Sequence, residues 1–527
     1  MNSLVESFSV KFHDQDLPIE GIINNDDERF GILKLKIREG KIIKYPLFLL
    51  FSLDITGSMS EPASHNSTKI DCLIQTFNNI ISFLSTCGAT VYIKVNTFNE
   101  TCVTLVDTTL VTPTNVNVIQ EQIKKALEPN GCTNIGAALK KAATDMNFYI
   151  NENPKNIVGH IFLSDGDPTS GERNFTVLAN MIDIKYQNTF LGFGIHHNAE
   201  LFQMFASKRL AEYRFIDNVE ISSLVYGEVL NNYLYPGINN IAITITNASI
   251  YDYNTNTWVT SLFEDTICTE IERIYHIKTR NLNDVIITAT LSGELKGIPI
   301  DSMEDYDNER TSQVEKLCEL QSTFNNANKE NLDRYLFRQK VQELLFRSKE
   351  LNSGSSINKE DLVKCMKDTF KTIKAYMQDN DLVSDSFFVM LCDDIHIVYR
   401  TLDSQVGVMY ATSRITCQGK QQSYQTSSPA QIINNVTPNQ HPSVFQMSSM
   451  PCTPRRGGRS GIHFGGAVPH PPFQFGSFIN PPLPGDPLSA LGDDLDLYSP
   501  SKTTNKTCFS TPTAIKTMSS IMKKNDF

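Results

Sequence analysis

Three short segments of this 527-residue chain collect oxygen-bearing side chains where apolar runs stop. The run Leu47–Leu53 ends in Asp54-Ile-Thr-Gly-Ser-Met-Ser60, and Val158–Ser164 ends in Ser164-Asp-Gly-Asp167. Between them a loop reads Asn130-Gly-Cys-Thr-Asn-Ile-Gly136, ahead of a helical pattern. Carboxylates and hydroxyls gathered at one end of a parallel sheet make a hard, all-oxygen site of the kind Mg²⁺ or Mn²⁺ requires. Two carboxylates with three neutral hydroxyls would leave water in part of an octahedron, and one water could exchange for a carboxylate from outside. Gly57, Gly131 and Gly166 lend these loops backbone freedom.

Such a site needs a scaffold that carries several strand ends to one place. From Leu47 to Leu234 apolar strands alternate with helical periodicity. Leu47–Asp54 reads as a buried strand, and Ile70, Leu73, Ile74, Phe77, Ile80, Ile81 and Leu84 follow at helical spacing. Val91–Phe98, Val158–Ser164, Thr189–Ile195 and Tyr213–Ile216 read as further strands, with Val103–Val111 as an edge. Val116–Leu127, Ile135–Ile150, Phe175–Ile184, Ala199–Ser207 and Val219–Tyr233 read as helices. This alternation predicts an α/β fold, a doubly wound, Rossmann-like parallel sheet covered on both faces. Ligands of such sheets bind beyond the carboxyl ends of the strands.

The flanks are read as separate units. Residues 1–46 form an N-terminal β segment, 47–235 the α/β domain, 236–302 a β-sandwich-like antiparallel unit, 303–417 a helical region, and 418–527 a disordered Pro/Ser/Gly-rich tail. Runs such as SFSVKF and GILKLKI let the N-terminus lend strands to the antiparallel unit. Within the helical region the period is expected from Glu309 to Arg400, as three helices. In the tail, Leu491–Tyr498 (LGDDLDLY) has the pattern of a short docking motif, and several Ser/Thr-Pro pairs are candidate phosphorylation sites.

The three oxygen-rich segments together resemble a known family. DITGSMS is similar to the Asp-x-Ser-x-Ser signature of von Willebrand factor A (VWFA) domains, their metal-ion-dependent adhesion site. NGCTNIGAAL resembles the family's Gly-Gly-Thr-Asn-Ile segment and LSDGDP its Asp-Gly turn, in the family's order, over about Leu47 to Tyr235. The resemblance implies a metal held by hydroxyls of Thr56, Ser58 and Thr133 and by Asp54 and Asp165, directly or through water. It also implies the function: Mg²⁺- or Mn²⁺-dependent protein binding, with a partner's Asp or Glu completing the coordination and no catalysis. Thr56 stands where the family has serine, and Cys132 where it has glycine; neither change removes a ligand. The layout is similar to intracellular, eukaryotic-type VWFA proteins, without the Cys/His set of those that carry a RING finger. Asn- and Ile-rich usage suits an AT-rich genome such as that of a large DNA virus, in which case the virion is a possible location.

Composition narrows the alternatives. A net charge of −11 argues against general affinity for nucleic acid. The start has no secretory pattern, and the most apolar run is far shorter than the roughly 20 residues that cross a bilayer, which predicts a cytoplasmic protein with no membrane insertion. The eleven cysteines stand singly and are expected as reduced thiols, most of them core filler. A P-loop is absent, and His196-His197 is expected as a solvated loop pair. Asp165-Gly-Asp167-Pro-Thr169 also fits the Asp-x-Asp-x-Thr pattern of haloacid dehalogenase-like phosphatases, with Cys392-Asp393-Asp394 as a downstream acidic pair. That reading leaves Asp54, Thr56, Ser58 and Thr133 without a role. A third reading is a structural particle component stiffened by its metal.

Overall fold

The computed structural model describes residues 4–13, 28–64, 67–194, 197–216, 223–280, 285–295, 315–323, 328–351, 356–422, 495–499 and 509–522. Strands β1 (Val5–His13) and β2 (Glu28–Ile37) pair antiparallel at the start of the chain. Strand β3 (Leu47–Asp54) follows, with all eight residues buried, then a 3₁₀ turn at Gly57–Ser60 and the small hairpin β4 (Pro62–Ser64) and β5 (Ser67–Thr68). Helix α1 (Lys69–Leu84) starts on a capping box in which Thr68 and Asp71 satisfy each other's backbone amides.

The α/β domain continues through β6 (Val91–Phe98), β7 (Cys102–Leu110), α2 (Val116–Ala126), α3 (Ile135–Glu152), β8 (Ile157–Ser164) and α4 (Phe175–Ala179). It closes with β9 (Gln187–Phe193), α5 (Ala199–Ala206), β10 (Ala211–Ile216) and α6 (Ser223–Leu234). The sheet order is β10-β9-β8-β3-β6-β7; every pair is parallel except β6 with the edge strand β7. The expected doubly wound fold is therefore present, with one antiparallel edge. Burial on both faces explains why β3 reads as a continuous apolar run. From β3 the chain crosses to β6 on one side, while β8 lies on the other. The carboxyl ends of β3 and β8 thus flank a point where the winding reverses, which is where such sheets open a crevice.

Next come β11 (Ile238–Thr246), β12 (Ala248–Asp252), β13 (Thr257–Val259), β14 (Ser261–Ile267), β15 (Glu272–Arg280), β16 (Ile286–Glu294), β17 (Glu315–Thr323) and β18 (Asn328–Glu330). They form two sheets, β13-β12-β15-β2-β1-β18 and β14-β11-β16-β17. Strand β2 pairs antiparallel with β15 over nine residue pairs, so the N-terminus joins these strands across the intervening α/β domain. Leu33, Leu35, Ile243, Ile277, Ala289 and Leu291 fill the core they share.

The residues after Glu309 correct the helical expectation. Leu317 and Leu320 have helix-like spacing, yet 315–323 is a strand paired antiparallel with β16. A free edge on β16 outweighs a local period of two residues' worth of evidence. The three helices expected before Arg400 are present as α7 (Asp333–Leu351), α8 (Lys359–Asp379) and α9 (Ser386–Arg400), and α10 (Gln405–Gly419) follows beyond them.

Most of the segment expected to be disordered lies outside the described residues, but three parts of it are packed, the first being 418–422, which ends α10 with Gln418, Gln421 and Gln422 buried. Leu495 and Tyr498 are buried against the helices, and α11 (Pro512–Met522) lies on α6 and α1. Ala514, Met518 and Ile521 make an apolar stripe at helical spacing, which the Ser/Thr-rich composition around it conceals. At Gly227 in α6 an added Cβ would stand 2.6 Å from Met518 Cγ, so this glycine sets how closely the two helices approach. Among the described residues no helix is long and apolar enough to cross a membrane.

Candidate metal centre

Asp54 ends β3 and is wholly buried. Its Oδ1 accepts the Thr56 amide at 2.8 Å, an Asx turn that folds the chain back over the strand end. Its Oδ2 accepts the Ser164 hydroxyl at 2.5 Å, tying the end of β3 to the end of β8. Ser58 Oγ lies 3.1 Å from Thr56 Oγ1 and donates to Asp165 Oδ1 at 2.7 Å.

The third segment is drawn in by its backbone. Asn130 donates its amide to the Ile55 carbonyl at 2.8 Å, and Gly57 donates to the Gly131 carbonyl at 3.2 Å. Gly131 has φ +74°, a conformation a side chain would strain. Thr133 is fixed by Thr169, whose hydroxyl accepts the Thr133 amide at 2.7 Å and whose amide donates to the Thr133 carbonyl at 3.0 Å. A Cβ on Gly166 would lie 3.8 Å from both Ser58 Oγ and Thr133 Oγ1, so these hydroxyls face one hollow. Asp54, Thr56, Ser58, Thr133 and Asp165 therefore converge at the carboxyl ends of β3 and β8.

The electrostatics of this hollow favour a cation. Burial, and then the nearby Asp165 carboxylate, push the Asp54 pKa up to about 6. A buried carboxylate whose proton affinity is raised beside a second carboxylate is what a divalent ion would neutralise, and the candidate ligands are all oxygens. Among the described residues no cluster of three His, Cys, Asp or Glu side chains is placed to hold a metal. The candidate centre instead combines two carboxylates with three hydroxyls, which fits a hard ion that keeps some water.

Sequence reasoning missed three contributors. Lys69 Nζ lies 2.6 Å from Asp165 Oδ2 and 2.8 Å from Glu61 Oε2. Burial alone would lower the Lys69 pKa, but Asp165 and Glu61 outweigh it and hold the ammonium above its usual value. Ser164 is the third, through its bond to Asp54. A signal for Lys69 was present: it is a cation on the apolar face of a helix N-terminus, where the helix dipole disfavours it.

Other sequence expectations resolve here. His197 is buried rather than solvated, with Nδ1 2.6 Å from the Gly194 carbonyl and Nε2 bonded to the Tyr213 hydroxyl. Aromatic neighbours Phe202 and Phe215 stack on its ring, a surrounding that a His-His pair does not reveal. His196 lies outside the described residues. Asp167 is exposed and accepts from Asn198 Nδ2 at 2.6 Å. Asp394 is taken up inside the helical unit by Arg414, Tyr410 and Gln418. Among the described cysteines, Cys72, Cys87, Cys102, Cys268, Cys318, Cys365, Cys392 and Cys417 are free thiols.

Residues 49–225 match the family model of the von Willebrand factor type A domain. This part of the chain is a von Willebrand factor type A domain. No curated protein sequence matches the chain. Among solved structures, the chain is similar to a von Willebrand factor type A protein from Catenulispora acidiphila at 12% identity and a TM-score of 0.50, over 79% of this chain and 97% of that one. The likeness in fold thus extends beyond the A domain to its flanking units. The ArnB paralog VWA2 from Sulfolobus acidocaldarius aligns over 79% of this chain and 99% of its own at 14% identity, with a TM-score of 0.45.

Proposed function

We propose that this chain is a protein-binding module whose A domain captures its partner through a divalent metal, Mg²⁺ or Mn²⁺. In this reading Thr56, Ser58 and Thr133 supply hydroxyls and Asp54 and Asp165 supply carboxylates. The bound ion would offer a coordination position to an Asp or Glu of the partner. One observation carries the reading: two buried carboxylates and three hydroxyls from three separate loops converge where the strand winding reverses. A-type domains commonly mediate metal-dependent protein interactions, which is consistent with this use.

Cytoplasmic location and the absence of catalysis belong to the same proposal. The phosphatase alternative gains nothing from the geometry, since Asp165 is bonded to Ser58 and Lys69 and Asp167 is turned to Asn198. The test is affinity capture with immobilised chain in Mg²⁺, in Mn²⁺ and in chelator, comparing wild type with Thr133→Val. Partners held by the metal are lost in chelator and lost in the variant. Equal capture in all arms would overturn the proposal.

A further inference from the structure

Leu495–Ser499 is a five-residue piece of chain seated on the helical unit, with residues 423–494 and 500–508 on either side of it outside the described set. Its contacts alternate. Leu495 is 2% exposed and Tyr498 is 6% exposed, whereas Leu497 between them is 74% exposed. The residues that receive it come from α8 and α9.

Each contact has distinct chemistry. The Leu495 carbonyl lies 3.1 Å from His396 Nδ1. Asp496 pairs with Lys367 Nζ at 2.6 Å and accepts the Tyr399 hydroxyl. The Tyr498 ring packs edge-on to Phe370 with centroids 5.0 Å apart, and to His396 at 5.3 Å. Its hydroxyl donates to the buried Asp393 carboxylate at 2.9 Å, and Lys374 Nζ stands 5.9 Å from its ring. Two side-chain anchors, a rim ion pair and an exposed spacer are the features by which a groove reads a short linear segment rather than those of general core packing.

We propose that the groove between α8 and α9 is a recognition site for acidic peptides of the form Leu-Asp-x-Tyr, and that Leu495–Ser499 is its resident, displaceable occupant. This goes beyond the metal-dependent function and does not depend on it. Because the occupant is tethered, it competes with an outside peptide at an effective concentration on the order of millimolar. A partner carrying the same motif therefore binds well only when the tether is released. Phosphorylation of Tyr498 would release it, since a phosphate carries about −1.5 to −2 charge at neutral pH and would face Asp393.

The test measures binding of a labelled peptide, LGDDLDLYSPS, to the full-length chain by fluorescence anisotropy. The double variant Leu495→Ala/Tyr498→Ala vacates the groove and binds the peptide with a Kd at least tenfold below that of wild type. Replacing tyrosine by phenylalanine in the peptide weakens binding about tenfold, because a buried carboxylate loses a donor, and the phosphotyrosine peptide does not bind. Asp496→Lys in the full-length chain breaks only exposed rim contacts, the ion pair with Lys367 and the bond from Tyr399; it keeps the fold and raises affinity for the peptide severalfold. Equal affinity of wild type, the double variant and Asp496→Lys would overturn the proposal, as would binding of the phosphotyrosine peptide. If the double variant loses its helical circular dichroism, Asp496→Lys alone decides.

Discussion

Lys69 places its ammonium 2.6 Å from Asp165 Oδ2, inside the ring of groups proposed to hold a metal. It occupies the first position of α1, where the helix dipole opposes a cation, so Asp165 and Glu61 must be what hold it there. The site thus carries its own partial neutralisation. Lys69→Met removes a charge that repels an incoming ion and leaves two carboxylates without it. Metal affinity should rise about tenfold or more, since unit charges about 4 Å apart interact by about 4 kcal/mol at a near-surface dielectric. The metal-free variant should unfold at lower temperature, because a buried carboxylate loses its partner. Thermal melts with and without Mg²⁺ check both, and an unchanged metal-induced shift would show that Lys69 is electrostatically irrelevant.

His160 should make the A domain sensitive to acid. It is buried between the Ser52 hydroxyl at 2.9 Å from Nε2 and Asn188 Oδ1 at 3.0 Å from Nδ1. Asn188 spends both amide hydrogens on the Asp183 and Tyr186 carbonyls, so its oxygen must accept and Nδ1 must carry the proton. Burial lowers the His160 pKa to about 4. The folded pKa lies below the usual value of about 6.5, so the stability this neutral ring contributes is present above pH 6.5 and is lost as pH falls from there towards 4. Its full loss amounts to about 3 kcal/mol. Denaturant midpoints between pH 4 and 7 should show this slope, and His160→Gln should flatten it.

Arg414 and Asp394 form a buried bidentate pair, with both Nε and Nη2 2.8 Å from the carboxylate. Arg414→Met strands that charge and should cost about 3–5 kcal/mol. The pair replaced together, Asp394→Leu with Arg414→Met, should recover much of the loss. Chemical denaturation of the two variants checks this, and equal losses would mean that volume rather than charge governs the site.

Gly227 governs the docking of α11. A side chain there would meet Met518 within 3 Å at both its Cγ and its backbone. Gly227→Leu should therefore dislodge residues 512–522 while leaving the A domain folded. Hydrogen exchange within Ala514–Ile521 should then speed up by orders of magnitude. Unaltered protection there would mean that α6 and α11 can separate without loss.

What the sequence made legible follows from the range of the signals involved. The runs of β3 and β8 and the oxygen-rich turns after them are local, so all five candidate ligands are legible in short stretches of sequence. The sheet partners of the N-terminus were suggested by alternation alone, but the nine-pair register of β2 with β15 depends on contacts more than two hundred residues apart in sequence. Strand β17 is not marked by any local pattern, because what makes it a strand is its antiparallel pairing with β16. Lys69, Ser164 and the buried surroundings of His197 were hidden for the same reason. Each owes its role to a neighbour brought in by the fold, and residue type alone reports only what a side chain can do.

The central claim is that Asp54, Thr56, Ser58, Thr133 and Asp165 hold one divalent ion. Mn²⁺ binding followed by electron paramagnetic resonance, in wild type and in Asp54→Ala, tests it most directly. The account predicts saturable binding of one Mn²⁺ per wild-type chain, competed by Mg²⁺ and weakened at least a hundredfold in the variant. Absence of saturable binding to wild type, or equal binding by Asp54→Ala, would contradict it.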